Sequence, residues 1–229
     1  MALFAIGDMH LSFSFDKPMD IFGEEWIDHS LKIKEDWMQK VGEEDTVLIT
    51  GDTSWALRLD HAKIDLDWIS ELPGNKVIIK GNHDYWWQTV GKLNGLYENM
   101  FFMQNNYFRY EEYGICGTRG WTCPNDTYFV KHDEKIYIRE LARLEMSLKF
   151  AKADGMEKLL VMLHYPPTND KKEPSGFTEI LEKYNVEKVV YGHLHGAQYH
   201  PLGLQGKCNG TEYYLVSCDH TDFKLIQIK

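Results

Sequence analysis

An α/β fold of mixed sheets covered by helices is predicted by three features of this 229-residue chain. Short apolar runs rich in β-branched and aromatic residues recur along it. Several are separated by segments of helical period. Strand and helix alternate up to about residue 80, whereas strands crowd together around 100 to 117 and at the C-terminus. Alternation favours parallel crossovers, and crowding favours antiparallel neighbours, so both pairings are expected.

The strand-like runs occupy 3–6, 46–50, 76–80, 100–104, 113–117, 159–163, 188–191, 212–218 and 224–228. The first helix is expected over 24–41, where Trp26, Ser30, Ile33, Trp37 and Val41 fall on one stripe. A second long one is expected over 134–153, with Tyr137, Leu141, Leu144, Leu148 and Ala151. Shorter helices are placed at 60–72 and 175–184. Residues 118–133 carry Gly, Pro, Asn and Asp without a period and read as a long loop of the kind that walls a site. The length suits one domain over 1–229, and no internal repeat interrupts it.

Acidic residues outnumber basic ones 35 to 25, which disfavours a nucleic-acid partner. The N-terminal residues lack a signal-peptide pattern, and no run approaches the roughly 18 apolar residues of a membrane span. A cytoplasmic location with no membrane partner is therefore expected; oligomeric state is left open. Cys116, Cys123, Cys208 and Cys218 form no CxxC pair and read as reduced core or loop thiols.

Polar clusters follow five of the strand runs directly: FAIGDMH ends at His10, VLITGD at Asp52, VIIKGNHD at Asp84, LLVMLH at His164 and KVVYGHLH at His195. Ligands of open α/β sheets bind beyond the carboxyl ends of strands, so these clusters can converge on one crevice. A glycine precedes four of them, allowing sharp turns and close approach. Singly, each motif reads more readily as a turn or a structural histidine. Together they supply oxygen and nitrogen donors suited to divalent metals.

The ordered set D-x-H, G-D, G-N-H-D, H and G-H-x-H over residues 8–195 resembles the calcineurin-like metallophosphoesterase superfamily. The resemblance implies two mixed sheets packed as a sandwich with helices outside. It implies that Asp8, His10 and His195 hold one metal, that Asn82, His164 and His193 hold a second, and that Asp52 bridges them. The cofactors implied are two divalent ions, with Mn²⁺, Fe²⁺ and Zn²⁺ as the options. A hydroxide between the metals would attack phosphorus in an in-line displacement. His83 resembles a general acid or transition-state stabiliser with Asp84 orienting it; the alternative is that His83 only braces Asn82.

The string GDTSWA departs from the GDxVDRG of protein phosphatases, which puts that activity in doubt, and Trp55 stands where purple acid phosphatases carry a metal-binding Tyr. Substrate choice is expected from Tyr85, Arg119 and Trp121. An aromatic wall could stack on a planar leaving group, so the expected partner is a small phosphorylated molecule, nucleotide-like ones included. Trp86 and Trp87 read better as anchors of the turn to the sheet. The expected activity is phosphoric mono- or diester hydrolysis; the alternatives are a silent, metal-stabilised binding module and a nuclease.

Overall fold

Parallel pairing in order along the chain builds the first sheet. The computed structural model describes residues 1–15, 17–125 and 129–229. In it β1 (Leu3–Ile6), β2 (Thr46–Ile49), β3 (Asn75–Ile79) and β4 (Met100–Met103) run parallel and side by side. A second sheet starts with β5 (Phe108–Tyr110), antiparallel to β6 (Tyr113–Thr118), and continues in parallel through β7 (Lys158–Leu163) and β8 (Lys188–Tyr191). The hairpin of β9 (Gly206–Cys208) and β10 (Thr211–Leu215) closes it, with β10 beside β8, and β11 (Ile226–Gln227) returns to flank β1. The orders are β11-β1-β2-β3-β4 and β5-β6-β7-β8-β10-β9, the mixed pair expected.

The central strands β1, β2, β3, β6 and β7 bury both faces, and their period of two divides them between layers. Leu3 and Ala5 of β1 join Leu48, Val77, Leu160, Met162 and Val190 between the sheets. Phe4 and Ile6 point the other way, against Ile33 and Trp37 of α1 (His29–Lys40) and Leu66 and Ile69 of α2 (Leu59–Ser70). A short α3 (Val90–Leu93) adds Leu93 to that layer. On the far side, Leu144 and Leu148 of α4 (Lys131–Ala153) and Phe177 and Leu181 of α5 (Gly176–Lys183) cover Val161, Leu163 and Val189. The result is a helix, sheet, sheet, helix sandwich.

Several expected boundaries move. Asp28 takes φ 55°, which breaks the first expected helix: 24–26 is a 3-10 turn and α1 starts at His29. Residues 131–133 of the expected loop are the first turn of α4, and 126–128 lie outside the described residues. The run 212–218 ends as a strand at Leu215, and 224–228 shrinks to two residues. Among the described residues no helix is long and apolar enough to cross a membrane.

The sheets are stitched where β1 and β10 end. Gly7 donates to Val216 O at 2.7 Å, and Cys218 N donates back to Gly7 O at 3.1 Å. That stitch brings the carboxyl ends of β1, β2 and β3 against those of β7 and β8.

Candidate metal centre

The loops beyond these strands are laced by backbone hydrogen bonds before any side chain is considered. Asp8 N donates to Gly51 O at 3.0 Å, His10 N to Asp52 O at 2.9 Å, and Gly192 N to His164 O at 3.1 Å. Held this way, four of the expected ligands sit at positive φ: Asp8 at 58°, His10 at 47°, Asp52 at 48° and His193 at 74°. Such a conformation costs about 1–3 kcal/mol per non-glycine residue and persists only where the surroundings enforce it. The glycines serve close approach. A Cβ on Gly81 would collide with Asp52 Oδ1, and one on Gly192 with Asp8 Oδ2.

The expected ligands come together in two compact sets. Asp8, His10 and His195 can each place a donor atom within 4.8 Å of the others, as can Asp8, Asp52 and His164. In the first, His10 Nε2 lies 3.2 Å from His195 Nε2, and His195 Nε2 lies 3.5 Å from Asp8 Oδ1. Around the second, Asn82 Oδ1 is 2.6 Å from His164 Nε2 and 2.9 Å from His193 Nδ1. His164 Nδ1 donates to Thr50 O at 3.0 Å, so its Nε2 is a bare lone pair facing the amide oxygen of Asn82. Ligand atoms about 2.0–2.2 Å from one metal sit about 3 Å from each other, so these spacings suit donors gathered around cations. Asp52 Oδ2, of the second set, reaches toward the first: it lies 3.8 Å from His10 Nε2 and 3.5 Å from His164 Nε2. Asp8 belongs to both.

The electrostatics call for positive charge. Burial and the neighbouring Asp8 push the Asp52 carboxyl up to about 8. Burial raises Asp8 too, but the charge and hydrogen bond of His195 foremost reverse it and hold it well below the usual carboxylate range. Burial lowers His10, His164 and, with help from His164, His193, which is pushed down to about 3. Those three imidazoles are therefore neutral, the state a metal ligand requires. His195 behaves oppositely: burial lowers it, but Asp8 and Asp219 outweigh that and raise it to about 10. Two buried carboxylates facing neutral imidazoles fit a divalent pair, which would supply the missing charge.

His83 lines a cleft of about 320 Å³ together with His10 and His195. Its ring lies 4.3 Å from that of Trp55 and 5.7 Å from that of His10, and burial pushes it down to about 4. Asp84 does not serve as expected. It is fully buried and accepts from Asp52 N, Thr53 N, Ser54 N, Gly81 N and Trp86 Nε1 at 2.7–3.3 Å, all donors other than the His83 ring. Its carboxylate pins the β2 loop to the β3 loop, which is a structural task.

The cleft wall differs from the expected one. Besides the three histidines it is formed by Met19, Phe22, Trp26, Trp55 and Tyr199, with Glu25 and Gln198 as polar neighbours. Trp55 stacks on His10 at 4.6 Å. Tyr85 is exposed, its ring 6.4 Å from His83. Trp121 donates Nε1 to Asp133 at 3.0 Å and lies 5.1 Å from Tyr165, whose ring in turn packs 4.0 Å from His193. Arg119 faces a different cavity. Trp86 and Trp87 are buried against Phe102, the anchoring role read from the sequence.

A further residue missed in the sequence supports His195. Asp219 accepts from His195 Nδ1 at 3.0 Å and His200 Nε2 at 3.1 Å, and from Gly196 N at 2.8 Å. It fixes the His195 tautomer so that Nε2 faces the centre. Its signal was its place just past the expected strand 212–218, in SCDH.

The family model for calcineurin-like phosphoesterase matches residues 1–197. The chain is 39% identical over 77 residues to the gene 66 protein of Mycobacterium phage D29, which is 32% of this chain and 38% of that protein. The match thus spans about two-fifths of the length of this curated relative. Among solved structures, a protein of unknown function from Aquifex aeolicus superposes with a TM-score of 0.55 at 17% identity, covering 99% of this chain and 95% of that one, a likeness of fold. The NAD nucleotidase of Haemophilus influenzae gives a TM-score of 0.41 at 13% identity, over 93% of this chain and 46% of that one.

Proposed function

This chain belongs to the calcineurin-like phosphoesterase family, and we propose that it hydrolyses phosphoric esters, mono- or diesters, of small phosphorylated molecules. We assign one divalent metal to Asp8, His10 and His195, a second to Asn82, His164 and His193, and the position between them to Asp52. The observation that carries this reading is the pair of donor sets joined through Asp8, with Asp52 Oδ2 3.8 Å from His10 Nε2 and 3.5 Å from His164 Nε2. Mn²⁺, Fe²⁺ and Zn²⁺ all suit a mixed N/O set, since such sites select by geometry and availability.

When bound, such a pair supplies a nucleophilic water at neutral pH and neutralises phosphoryl charge. The protein's own part is placement. Thr50 O and Asp219 accept from Nδ1 of His164 and His195 and so hold each ring with Nε2 toward the centre. Asp52 Oδ1 accepts from His83 N at 2.8 Å, which ties the His83 loop to the proposed bridging ligand. From the cleft, the His83 imidazole is placed to give a proton to the leaving oxygen or to stabilise its charge. The apolar wall of Met19, Phe22, Trp26 and Trp55 suits a planar or apolar leaving group.

The test is a panel of aryl phosphate mono- and diesters and nucleotides offered to Mn²⁺-, Fe²⁺- and Zn²⁺-loaded protein, with His83→Ala beside wild type. Turnover is expected in wild type. His83→Ala is expected to keep its bound metal and lose about 100-fold or more in rate. A metal-loaded wild type without turnover on any of them would leave a binding module in place of an enzyme.

A further inference from the structure

A second cavity, of about 400 Å³, concentrates positive charge in an acidic protein. Its wall includes Lys80, Arg119, Arg139 and Arg143, with Thr118 and Gln104 beside them, on a chain whose net charge is −10. The three arginines share one acid. Oε1 of buried Glu140 lies 2.7 Å from Arg143 Nη1, 3.7 Å from Arg139 Nε and 3.8 Å from Arg119 Nη2. Its other oxygen accepts from Thr118 Oγ1 at 2.5 Å. Lys80 has no carboxylate within 4.0 Å, so among the described residues Glu140 alone stands within ion-pair distance of these four cations.

Two further details point to a ligand. Arg119 Nε is buried without a hydrogen-bond partner among the described residues, and its guanidinium carbon lies 4.5 Å from the centroid of the Trp121 ring. The cavity also adjoins the metal centre. Lys80 precedes Asn82 by two residues in the β3 loop, and Arg119 O accepts from His164 N and Tyr165 N at 3.0 Å. Like charges crowded into a partly buried wall repel each other, and the counterion that best relieves them is multiply charged and offers several acceptor oxygens to the guanidinium forks.

We propose that this cavity binds a multiply charged phosphate-type anion, either the far phosphoryl group of the substrate or a separate diphosphate. The cavity and its cations stand independently of whether the metal centre turns over. Inorganic pyrophosphate is therefore titrated calorimetrically into the full chain after chelator treatment, so that bound metal cannot hold it; far-UV circular dichroism checks the fold.

The expected result is one pyrophosphate per chain, bound at least about tenfold more weakly by Lys80→Gln/Arg139→Gln, in which two charged donors are lost. These two side chains are replaced because neither hydrogen-bonds Glu140, as Arg143 does, and Arg139→Gln alone, with a more exposed side chain that approaches Glu140 only to 3.7 Å, is the second variant, expected to weaken binding severalfold. Lys34→Gln, exposed on α1, is expected to bind as wild type does. No binding by folded wild type, or equal affinity in the double variant, overturns the proposal.

The Mn²⁺-loaded protein then separates the two sources. A site for the substrate's far end makes pyrophosphate competitive with a doubly anionic substrate and raises the KM of the double variant for that substrate alone. A site for a separate anion leaves KM unchanged and makes pyrophosphate non-competitive. Either pattern supports the site.

Discussion

His195 presents Nε2 to the centre because its Nδ1–H is given to Asp219 at 3.0 Å, and Asp219 is in turn held by Gly196 N and His200. Losing this support frees the ring and the tautomer while leaving every proposed ligand in place. Asp219→Ala is expected to weaken metal binding by about 10- to 100-fold, read by equilibrium dialysis with Mn²⁺; unchanged affinity would show that His195 is positioned by other contacts. Asp84 makes a different prediction. An amide there offers one acceptor oxygen and two donors to a pocket lined by five N–H groups. Asp84→Asn should therefore lower unfolding free energy by roughly 2–5 kcal/mol in urea titration, with activity lost as the loops separate. At this scale the ligand types were legible, because each follows an apolar run in a motif. Asp219 and Trp55 were not assigned to the centre, because their contacts are with residues distant in sequence.

The loops do their work through close approach of backbone to side chain, and this can be tested at Gly192. A methyl group there meets Asp8 Oδ2 and Thr50 Oγ1, so Gly192→Ala is expected to fold yet carry less metal per chain, measured by elemental analysis; full metal content would contradict the packing described. Elements also carry a pH signature away from the centre. Lys76 of β3 is buried beneath the end of α2, where Nζ donates to Leu72 O and Ser70 O, and burial lowers its amine to about 8. Between that value and the ordinary 10.5 the unfolded chain keeps a proton that the folded chain has released, so stability contributed at this site rises with pH across the window. Relative to Lys76→Met, wild type should gain on the order of 2 kcal/mol between pH 7 and pH 10; parallel stability curves for the two proteins would refute it. Strand cores such as 46–49 and 159–163 were readable from their apolar runs, and the stripe of α4 from its period. The missed elements are short edge pieces. β5 has three residues and pairs with β6 through a two-residue turn. The β9–β10 hairpin was signalled only by Asn209-Gly210, both at positive φ as such a turn requires.

Across the whole molecule, two sheets meet so that motifs from both halves of the chain face one centre. Asp8, Asp52 and Asn82 come from the first sheet, and His164, His193 and His195 from the second. Cations held between the sheets, as proposed, would bind the native state in preference to the unfolded one. Metal at about 100 times its dissociation constant should add roughly 2.7 kcal/mol, or about 5–10 °C in Tm; equal melting with chelator and with Mn²⁺ would deny the centre any part in joining the layers. The sandwich itself was legible through the resemblance of the motifs and the number of strand runs. The cleft wall was not, because Met19, Phe22 and Trp26 reach the centre through irregular segments that have no period to read. The most direct measurement is the hydrolysis rate of an aryl phosphodiester and monoester by Mn²⁺-loaded wild type, Asp52→Asn and His164→Ala. Turnover in wild type, reduced at least about 100-fold in both variants, is the predicted result; undiminished turnover in both variants would contradict the placement of the reaction at this centre.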